Sequence, residues 1–295
     1  MTRLDMHDSA IECLNEGCGE PVILLHSSGC SGAQWRSLAG RLDGRYRVIA
    51  PDLYGYGATP SWPGRGAFYL GHEAEVVHAL LDRLDRPAHL VGHSYGGAVA
   101  LKVAGARDKD LLSLTLIEPA AFHLLRNGDE TDSLALFEIG AVAEVVNQAL
   151  ACGDYARGYE RFVDFWGGAG AWAAIPKAKR DALAPSLAKV ALDFFATFNE
   201  PTRLDEVRAV GVPTLLVKGT CSPLPAQRIS DLLSRTLPEA NLEMVAGAGH
   251  MLPLTHRDEV NNLIVSHLEA NPQPSGRSSW ADSKYLRQAA AMPRP

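Results

Sequence analysis

The sequence predicts an α/β fold: a mostly parallel, doubly wound sheet with a helical cap inserted after the sixth strand. Three observations support this prediction. Short apolar runs alternate with segments of helical spacing along most of the 295 residues, and strands that alternate with helices form parallel sheets with right-handed crossovers. The alternation stops between positions 118 and 212, where the chain is rich in Ala and helical in pattern. A Gly-x-Ser-x-Gly sequence at 92–96 lies between a strand and a helix.

The stretch around Ser94 is the feature around which the other elements are arranged. Leu90 and Val91 form a short apolar run that predicts a buried strand, and the small residues at 98–104 predict a closely packed helix. Gly-x-Ser-x-Gly between a strand and a helix is the pattern of a nucleophile elbow. Such a turn is sharp and strained, and its glycines let strand and helix approach each other. We therefore expect the Ser94 hydroxyl to be presented rather than buried.

The segments before this turn follow the alternating pattern. Weak alternation predicts an early antiparallel strand at 11–16, and the continuous apolar run at 22–25 predicts a strand covered on both faces. A further strand is predicted at 46–50. Helical spacing predicts helices at 33–42 and 68–84.

The segments after the turn divide into a returning core and an insertion. Strands are predicted at 111–117, 212–218 and 242–245, and a final amphipathic helix at 257–270. Between them, helical segments are predicted at 134–150, 155–166 and 177–198. We therefore predict a core domain from 1–120 and 201–270, a helical cap at 121–200, and a poorly ordered C-terminal tail at 271–295.

Composition limits the possible partners. A net charge of −6 and a pI near 5.9, with no basic patch, argue against nucleic acid or an anionic membrane as a partner. No apolar run approaches the roughly 20 residues that span a bilayer, and the first eight residues lack the apolar segment of a secretory signal. The five cysteines have no CxxC spacing, which predicts free thiols in the cytoplasm and no structural zinc. The oligomeric state stays open.

Four landmarks follow one another along the chain: the sequences at 26–29 (His-Ser-Ser-Gly), 52–57 (Asp-Leu-Tyr-Gly-Tyr-Gly), 92–97 (Gly-His-Ser-Tyr-Gly-Gly) and 247–250 (Gly-Ala-Gly-His). Together they resemble the α/β-hydrolase fold family over residues 10 to 270. The order of nucleophile, acid and histidine is that family's order. The resemblance implies a capped serine hydrolase that needs no metal and no organic cofactor.

The resemblance also implies roles for single residues. Ser94 would be the nucleophile, and a hydroxyl needs a base within hydrogen-bond reach. His250, on a Gly-rich loop after a strand and before the last helix, would be that base. His93 and His26 are expected to be packing and loop-bracing residues. The oxyanion hole would be formed by the backbone N–H groups of Tyr95 and Ser28, and the loop carries Ser27 where the family often has Gly.

The acid departs from the family's usual pattern. The family keeps an Asp in a Gly-x-x-Asp-Pro context after the strand at 212–218, but this chain has Ser222 at that position. Some members carry the acid one strand earlier, and here Glu118 follows the strand at 111–117. We predict that Glu118 orients His250. There are two alternatives: Glu118 as a strand-end glutamate that hydrogen-bonds the cap or a loop, or a Ser94–His250 dyad assisted by Ser222. Asp52 and Asp231 are not strong candidates for the acid.

The implied chemistry is hydrolysis of a small, largely apolar ester, thioester or lactone through an acyl-enzyme on Ser94. Carbon–carbon bond hydrolysis of a diketone-like substrate is the alternative within catalysis, and cofactor-free perhydrolysis a weaker one. A serine at the elbow disfavours epoxide hydrolysis and dehalogenation, which use aspartate there in this family. From another class, the chain could be a receptor or scaffold that binds a small molecule in its pocket without turning it over.

Overall fold

The computed structural model describes residues 2–6 and 9–273 of the chain. Its sheet has eight strands in the described residues: β1 (Thr2–Met6), β2 (Ser9–Gly17), β3 (Glu20–Leu25), β4 (Tyr46–Pro51), β5 (Ala88–His93), β6 (Leu111–Ile117), β7 (Thr214–Gly219) and β8 (Ala240–Val245). The strand order is β1-β2-β4-β3-β5-β6-β7-β8. Strands β1 and β2 pair antiparallel, and all pairs from β4 to β8 are parallel.

The parallel pairing explains why the central strands appear as continuous apolar runs in the sequence. Strand β5 lies between β3 and β6 and is buried along its whole length, as expected when helices cover both faces. The register places Gly92 beside Leu25 and Leu116. The carboxyl ends of β3, β5 and β6 therefore lie at the same edge of the sheet, and the predicted α/β fold is confirmed.

Twelve α-helices in the described residues complete the fold: α1 (Arg36–Leu42), α2 (Leu70–Asp82), α3 (Tyr95–Arg107), α4 (Glu130–Cys152), α5 (Tyr155–Gly167), α6 (Ala171–Ala174), α7 (Lys177–Leu183), α8 (Leu187–Phe198), α9 (Leu204–Val207), α10 (Leu224–Thr236), α11 (Leu252–Thr255) and α12 (Arg257–Ala270). One apolar core packs α1 and α12 on the sheet through Trp35, Leu38 and Ile264. A larger core joins α2 and α3 with the helices between β6 and β7. Helices thus cover both faces of the sheet.

The region between β6 and β7 is helical throughout, as its pattern predicts, but one segment differs. The sequence predicts a continuous helical segment at 177–198, whereas the structure has α7, a 3-10 turn at Ala184–Ser186 and then α8. Pro185 lies in that turn, and proline removes a backbone donor and clashes with the preceding helical turn. The predicted helix at 33–42 likewise begins as a 3-10 turn, and becomes α-helical only at Arg36.

Three further expectations meet the structure differently. Strand β1 was not predicted, because its five residues mix polar and apolar side chains too briefly to show a period. Helix α4 is long and apolar enough to cross a membrane by length and composition alone, contrary to expectation. Its buried residues Ala135, Ile139, Val142 and Val146 nevertheless share the spacing of one packed face. Most of the predicted tail, 274–295, lies outside the described residues.

Candidate active site

The turn at Ser94 has the backbone geometry of a nucleophile elbow. Ser94 has φ 54° and ψ −117°, a conformation that non-glycine residues rarely adopt. A Cβ on Gly92 would lie 2.3 Å from the Gly96 carbonyl oxygen, and a Cβ on Gly96 would lie 2.5 Å from that of Leu25. Glycine is therefore required at both positions, which brings α3 close to β5 and β3.

Glu118 lies at the corresponding position one strand away, directly after β6. It also has a positive φ, of 43°, and its backbone N–H donates to the Val217 carbonyl at 3.1 Å. The side chain is 1% exposed. Its Oε1 accepts hydrogen bonds from the Gly219 N–H at 2.7 Å and the Ser222 hydroxyl at 2.5 Å. These two donors hold the carboxylate in one orientation.

His250 joins the two, because its ring lies between Ser94 and Glu118. Its Nε2 lies 2.9 Å from Ser94 Oγ, and its Nδ1 lies 2.6 Å from Glu118 Oε2. A carboxylate only accepts, so Nδ1 carries the proton and Nε2 is left to accept from the Ser94 hydroxyl. The structure thus brings together the three side chains that were predicted to converge, and this tautomer suits a general base.

Ser222 explains how the site accommodates the departure from the family's usual acid position. Its hydroxyl donates to Glu118 rather than to the ring of His250, so the alternative of a dyad assisted directly by Ser222 finds no contact in the structure. Asp52 and Asp231 were weaker candidates for the acid that orients His250. Asp52 instead accepts hydrogen bonds from the backbone N–H groups of Gly32 and Ala58. Asp231 lies in α10 and pairs with Lys218.

The two residues predicted for the oxyanion hole both line the cavity next to Ser94. Tyr95 is the first residue of α3, where a backbone N–H has no partner within the helix. Ser28 lies in the loop after β3. The neighbouring Ser27 donates its N–H to Gln34 Oε1 at 3.2 Å, so Ser27 is held back from the cavity. The oxyanion assignment stays a prediction, now with both residues at the site.

Two further buried histidines support the loops of the site. His93 donates from Nε2 to the His250 carbonyl at 2.9 Å, and its Nδ1 accepts from Gln34. Burial holds the pKa of His93 well below its usual range, so its ring is neutral. His26 accepts the Leu53 N–H at 3.0 Å and donates to the Ser27 carbonyl. Both roles agree with the packing and bracing that their positions predict. Gln34, which bonds both His93 and Ser27, was not predicted.

The cavity beside Ser94 encloses about 280 Å³, its open mouth included. Apolar side chains make up much of its wall: Ala120, Phe122, Phe162, Trp166, Val190 and Phe194. Most of these belong to the helical region between β6 and β7, which is the predicted cap. Asp193 is the one charged residue in the cavity wall of the described structure. A lining of this kind suits a small, largely apolar molecule.

Two cap contacts at this site escaped the sequence analysis. The ring of Trp166 in α5 contacts the ring of His250, with centroids 4.0 Å apart and planes tilted by 33°. Asp193 of α8 forms an ion pair with Lys189, which is also 3.1 Å from Glu73 Oε1 of α2. All three charged side chains are buried. The sequence did contain a sign of this ion pair, because α8 is largely apolar but carries a Lys and an Asp four residues apart.

The buried environment shifts the pKa values of Glu73 and Lys189. Burial raises the pKa of Glu73 above its ordinary value. Burial alone would lower the pKa of Lys189, but the carboxylates of Asp193 and Glu73 outweigh it and raise that pKa. Lys189 is therefore a cation at neutral pH. Among the residues that the structure describes, no group of three or more His, Cys, Asp or Glu side chains could hold a metal ion.

Comparison with known proteins places the chain in a family. The sequence profile described as "Alpha/beta hydrolase family" matches residues 22–263. The chain belongs to the α/β hydrolase family. The fold agrees with a hydrolase from Pseudomonas aeruginosa of known crystal structure, at a TM-score of 0.70 and 23% identity over 90% of this chain and 97% of that one.

Curated relatives of this α/β hydrolase span several activities. A protein assigned as a non-heme chloroperoxidase of Synechocystis sp. is 27% identical over 86% of the chain and 92% of its own length. A pimeloyl-[acyl-carrier protein] methyl ester esterase of Aeromonas hydrophila is 29% identical, over 84% and 95%. Lipase LipV of Mycobacterium tuberculosis is 30% identical, over 84% and 92%. The names of these three relatives indicate different activities.

Proposed function

We propose that this protein is a serine hydrolase that cleaves a small carboxylic ester, thioester or lactone through an acyl-enzyme on Ser94. The observation that supports it most is the pair of hydrogen bonds from Ser94 Oγ to His250 Nε2, at 2.9 Å, and from His250 Nδ1 to Glu118, at 2.6 Å. A nucleophile, a base and a group that orients the base are the parts that nucleophilic catalysis by serine requires.

In the acylation half, His250 takes the Ser94 proton as Oγ attacks the substrate carbonyl carbon. Negative charge then develops on the carbonyl oxygen, and the backbone N–H groups of Tyr95 and Ser28 receive it. Glu118 stabilises the imidazolium that forms, as a buried carboxylate hydrogen-bonded to Nδ1 can. His250 next passes its proton to the leaving oxygen or sulfur, and the acyl group stays on Ser94.

In the deacylation half, water takes the place of Ser94 as the nucleophile. His250 removes a proton from the water, whose oxygen attacks the acyl carbon. The second tetrahedral intermediate then collapses, the bond from the acyl carbon to Ser94 Oγ breaks, and His250 returns the proton to Oγ as the acid is released. No step needs a metal ion or an organic cofactor. The Trp166 ring lies over His250 and limits the space through which water can reach the imidazole.

The cavity supports a neutral substrate with a short acyl or alcohol group. Its wall is mainly aliphatic and aromatic, and the described lining residues include no cation that would attract an anionic substrate. Esterase and lipase names among the relatives agree with ester hydrolysis. The diketone alternative uses the same three residues, so substrate assays rather than the triad must separate the two.

Steady-state hydrolysis of p-nitrophenyl esters from two to eight acyl carbons tests the proposal. We expect turnover that is highest for short chains, a fall of about 10⁵ to 10⁶ in kcat for Ser94→Ala, and no turnover of a dienol-diketone analogue. Ser133→Ala, at an exposed serine of α4, is the control and should retain wild-type rates. Turnover of the diketone alone would favour carbon–carbon hydrolysis, and folded protein without any turnover would favour a receptor or scaffold.

A further inference from the structure

The charge cluster under the cap reaches both residues of the predicted oxyanion hole. We call Lys189, Asp193 and Glu73 the cap clamp, because the first two lie on α8 of the cap and the third on α2 of the core. Lys189 Nζ pairs with Asp193 Oδ1 and with Glu73 Oε1. Buried charges destabilise a fold unless they are paired and hydrogen-bonded, and this cluster meets that condition.

The first link runs to Ser28. Its hydroxyl donates to Asp193 Oδ2 at 2.6 Å, and the Tyr56 hydroxyl donates to the same oxygen at 2.6 Å. Ser28 is 165 residues away from Asp193 in the chain, so this contact exists only when the cap is seated on the core. It fixes the side chain of a residue that lines the cavity and is predicted to donate its backbone N–H to the oxyanion.

The second link runs to Tyr95. Lys189 Nζ lies 4.5 Å from the centre of the Tyr95 ring, and the Tyr95 hydroxyl lies 3.5 Å from Glu73 Oε1. The same ammonium lies 4.8 Å from the ring of Tyr56. A cation over an aromatic face is attracted to it, more strongly where water is excluded. The side chains of both predicted oxyanion residues therefore end in one buried cluster.

Charge balance explains why the cluster contains a lysine. Asp193 lines the cavity in which negative charge would develop on the substrate oxygen. An unpaired carboxylate there would oppose that charge, and the opposition is large where the dielectric is low. Lys189 neutralises Asp193 without lining the cavity itself. The carboxylate can then hold Ser28 while its field at the oxyanion is compensated.

We propose that the cap clamp positions the oxyanion hole, so that stabilisation of the tetrahedral intermediate depends on the seating of the cap through Asp193 and Lys189. This inference rests on the proposed function. Lys189 and Asp193 are positioning residues in this account, since they act through Ser28 and Tyr95. Preorganised donors are worth about 10² to 10³ in kcat each, so a displaced Ser28 N–H should be visible in kinetics.

A second ion pair, in which the carboxylate is buried and the lysine is half-buried, provides the control. Lys102 of α3 donates to Glu200, which follows α8, at 2.8 Å and to Thr202 at 3.2 Å. This pair also joins the core to the end of the cap region, but neither oxyanion residue is among its partners. If the cap clamp only staples the two parts together, disruption of either ion pair should have the same kinetic effect.

The experiment measures kcat, KM and the inhibition constant of a short alkyl trifluoromethyl ketone, which forms a tetrahedral adduct with the serine. We expect Asp193→Ala to lower kcat by about 30- to 100-fold with KM changed less than about threefold, and to weaken the ketone by a similar factor. Lys189→Met should lower kcat at least as much. Asp193→Asn, whose amide oxygen can still accept from Ser28, should recover most of the loss.

Ser28→Ala serves as the second variant, because it removes the tether and leaves the buried charges intact. It should lower kcat by about tenfold with wild-type thermal stability, and Lys102→Met should stay within about threefold of wild type in kcat. The proposal is overturned if Asp193→Ala or Ser28→Ala retains the kcat and ketone affinity of Lys102→Met. Wild-type protein that neither turns over esters nor binds the ketone would instead contradict the proposed function.

Discussion

The core half and the cap half of this site are built in different ways. In the core half, Ser94, Glu118 and His250 each lie just beyond a strand, and the backbone of the sheet determines where they point. In the cap half, Trp166 and Asp193 lie on helices and reach the site only through side-chain contacts. We infer from this difference that the core fixes the proposed chemistry, and that the cap adjusts its efficiency and selectivity.

Backbone strain marks the core half. Ser94 and Glu118 are the described non-glycine residues with positive φ, and they follow neighbouring strands. The Ser94 N–H donates to the Ile117 carbonyl at 2.9 Å, and the Ala120 N–H donates to the Ser94 carbonyl at 2.9 Å. Strained conformations persist only where the surroundings enforce them, and here each turn braces the other. We expect core variants to lose chemistry and cap variants to lose a smaller factor.

The largest effect should follow removal of the base. His250→Ala should lower kcat by about 10⁵ to 10⁶, because Ser94 then has no acceptor for its proton. Steady-state kinetics on the best p-nitrophenyl ester measures it. His256→Ala, at a histidine six residues after the base, is the control and should keep wild-type rates. Comparable losses in both variants would erase the distinction between core and surface positions.

The next effect tests the acid. Glu118→Gln should lower kcat by about 10³ to 10⁴, because the neutral amide cannot stabilise the imidazolium. Ser222→Ala should lower it by no more than about tenfold, because Gly219 still donates to the carboxylate. A larger loss in Ser222→Ala than in Glu118→Gln would reverse the assignment of the acid.

A smaller effect should come from the cap side of the imidazole. Trp166→Leu should lower kcat by about three- to tenfold, since an aromatic face 4.0 Å from the ring favours the imidazolium. Trp172→Leu, at a buried tryptophan of α6 that stacks on Tyr159, controls for loss of cap packing. A fall beyond about 100-fold in Trp166→Leu alone would place the cap among the parts that perform the chemistry.

The smallest kinetic effect, but a clear change in stability, concerns His26. Burial lowers its pKa to about 4, against roughly 6.5 in the unfolded chain. The folded protein therefore binds fewer protons than the unfolded chain. The free energy of unfolding keeps its full His26 contribution above pH 6.5 and declines by about 3 kcal/mol as the pH falls towards 4. Urea unfolding at pH 7.5, 6 and 5 measures this decline.

His26→Asn serves to separate this histidine from the others. His89 and His123 also have pKa values lowered to about 4 by burial, so they contribute to the same acid instability. His26→Asn should reduce the dependence of unfolding free energy on pH, besides lowering stability at pH 7.5. An unchanged pH dependence in this variant would mean that the protonation of His26 does not oppose folding.

The sequence predicted the core half because its residues carry recognisable local patterns. Gly92 and Gly96 surround Ser94, and Glu118 and His250 end a strand and a Gly-rich loop. Parallel strands bring such ends to one edge, so spacing in the chain is enough to predict their meeting. The same reasoning assigned the acid to Glu118 once Ser222 was found where the family usually has Asp. In the structure, Ser222 donates a hydrogen bond to that glutamate.

The cap half could not be predicted in the same way. Which face of α8 meets the core depends on the packing of several helices, and the 3-10 turn at Pro185 interrupts the helical repeat just before α8. Trp166 resembles any core aromatic until the position of His250 is known. Lys189 and Asp193 could have been noted as charges in an apolar helix, but their partners Ser28 and Glu73 are distant in sequence.

Covalent labelling tests the central account most directly. The wild-type protein is treated with a fluorophosphonate, digested, and the modified peptide is located by mass spectrometry. We predict one adduct, on Ser94, whose formation is lost in Ser94→Ala and slowed at least about 10³-fold in His250→Ala. Folded wild-type protein that remains unmodified, or that reacts equally fast at Ser94 without His250, would contradict it.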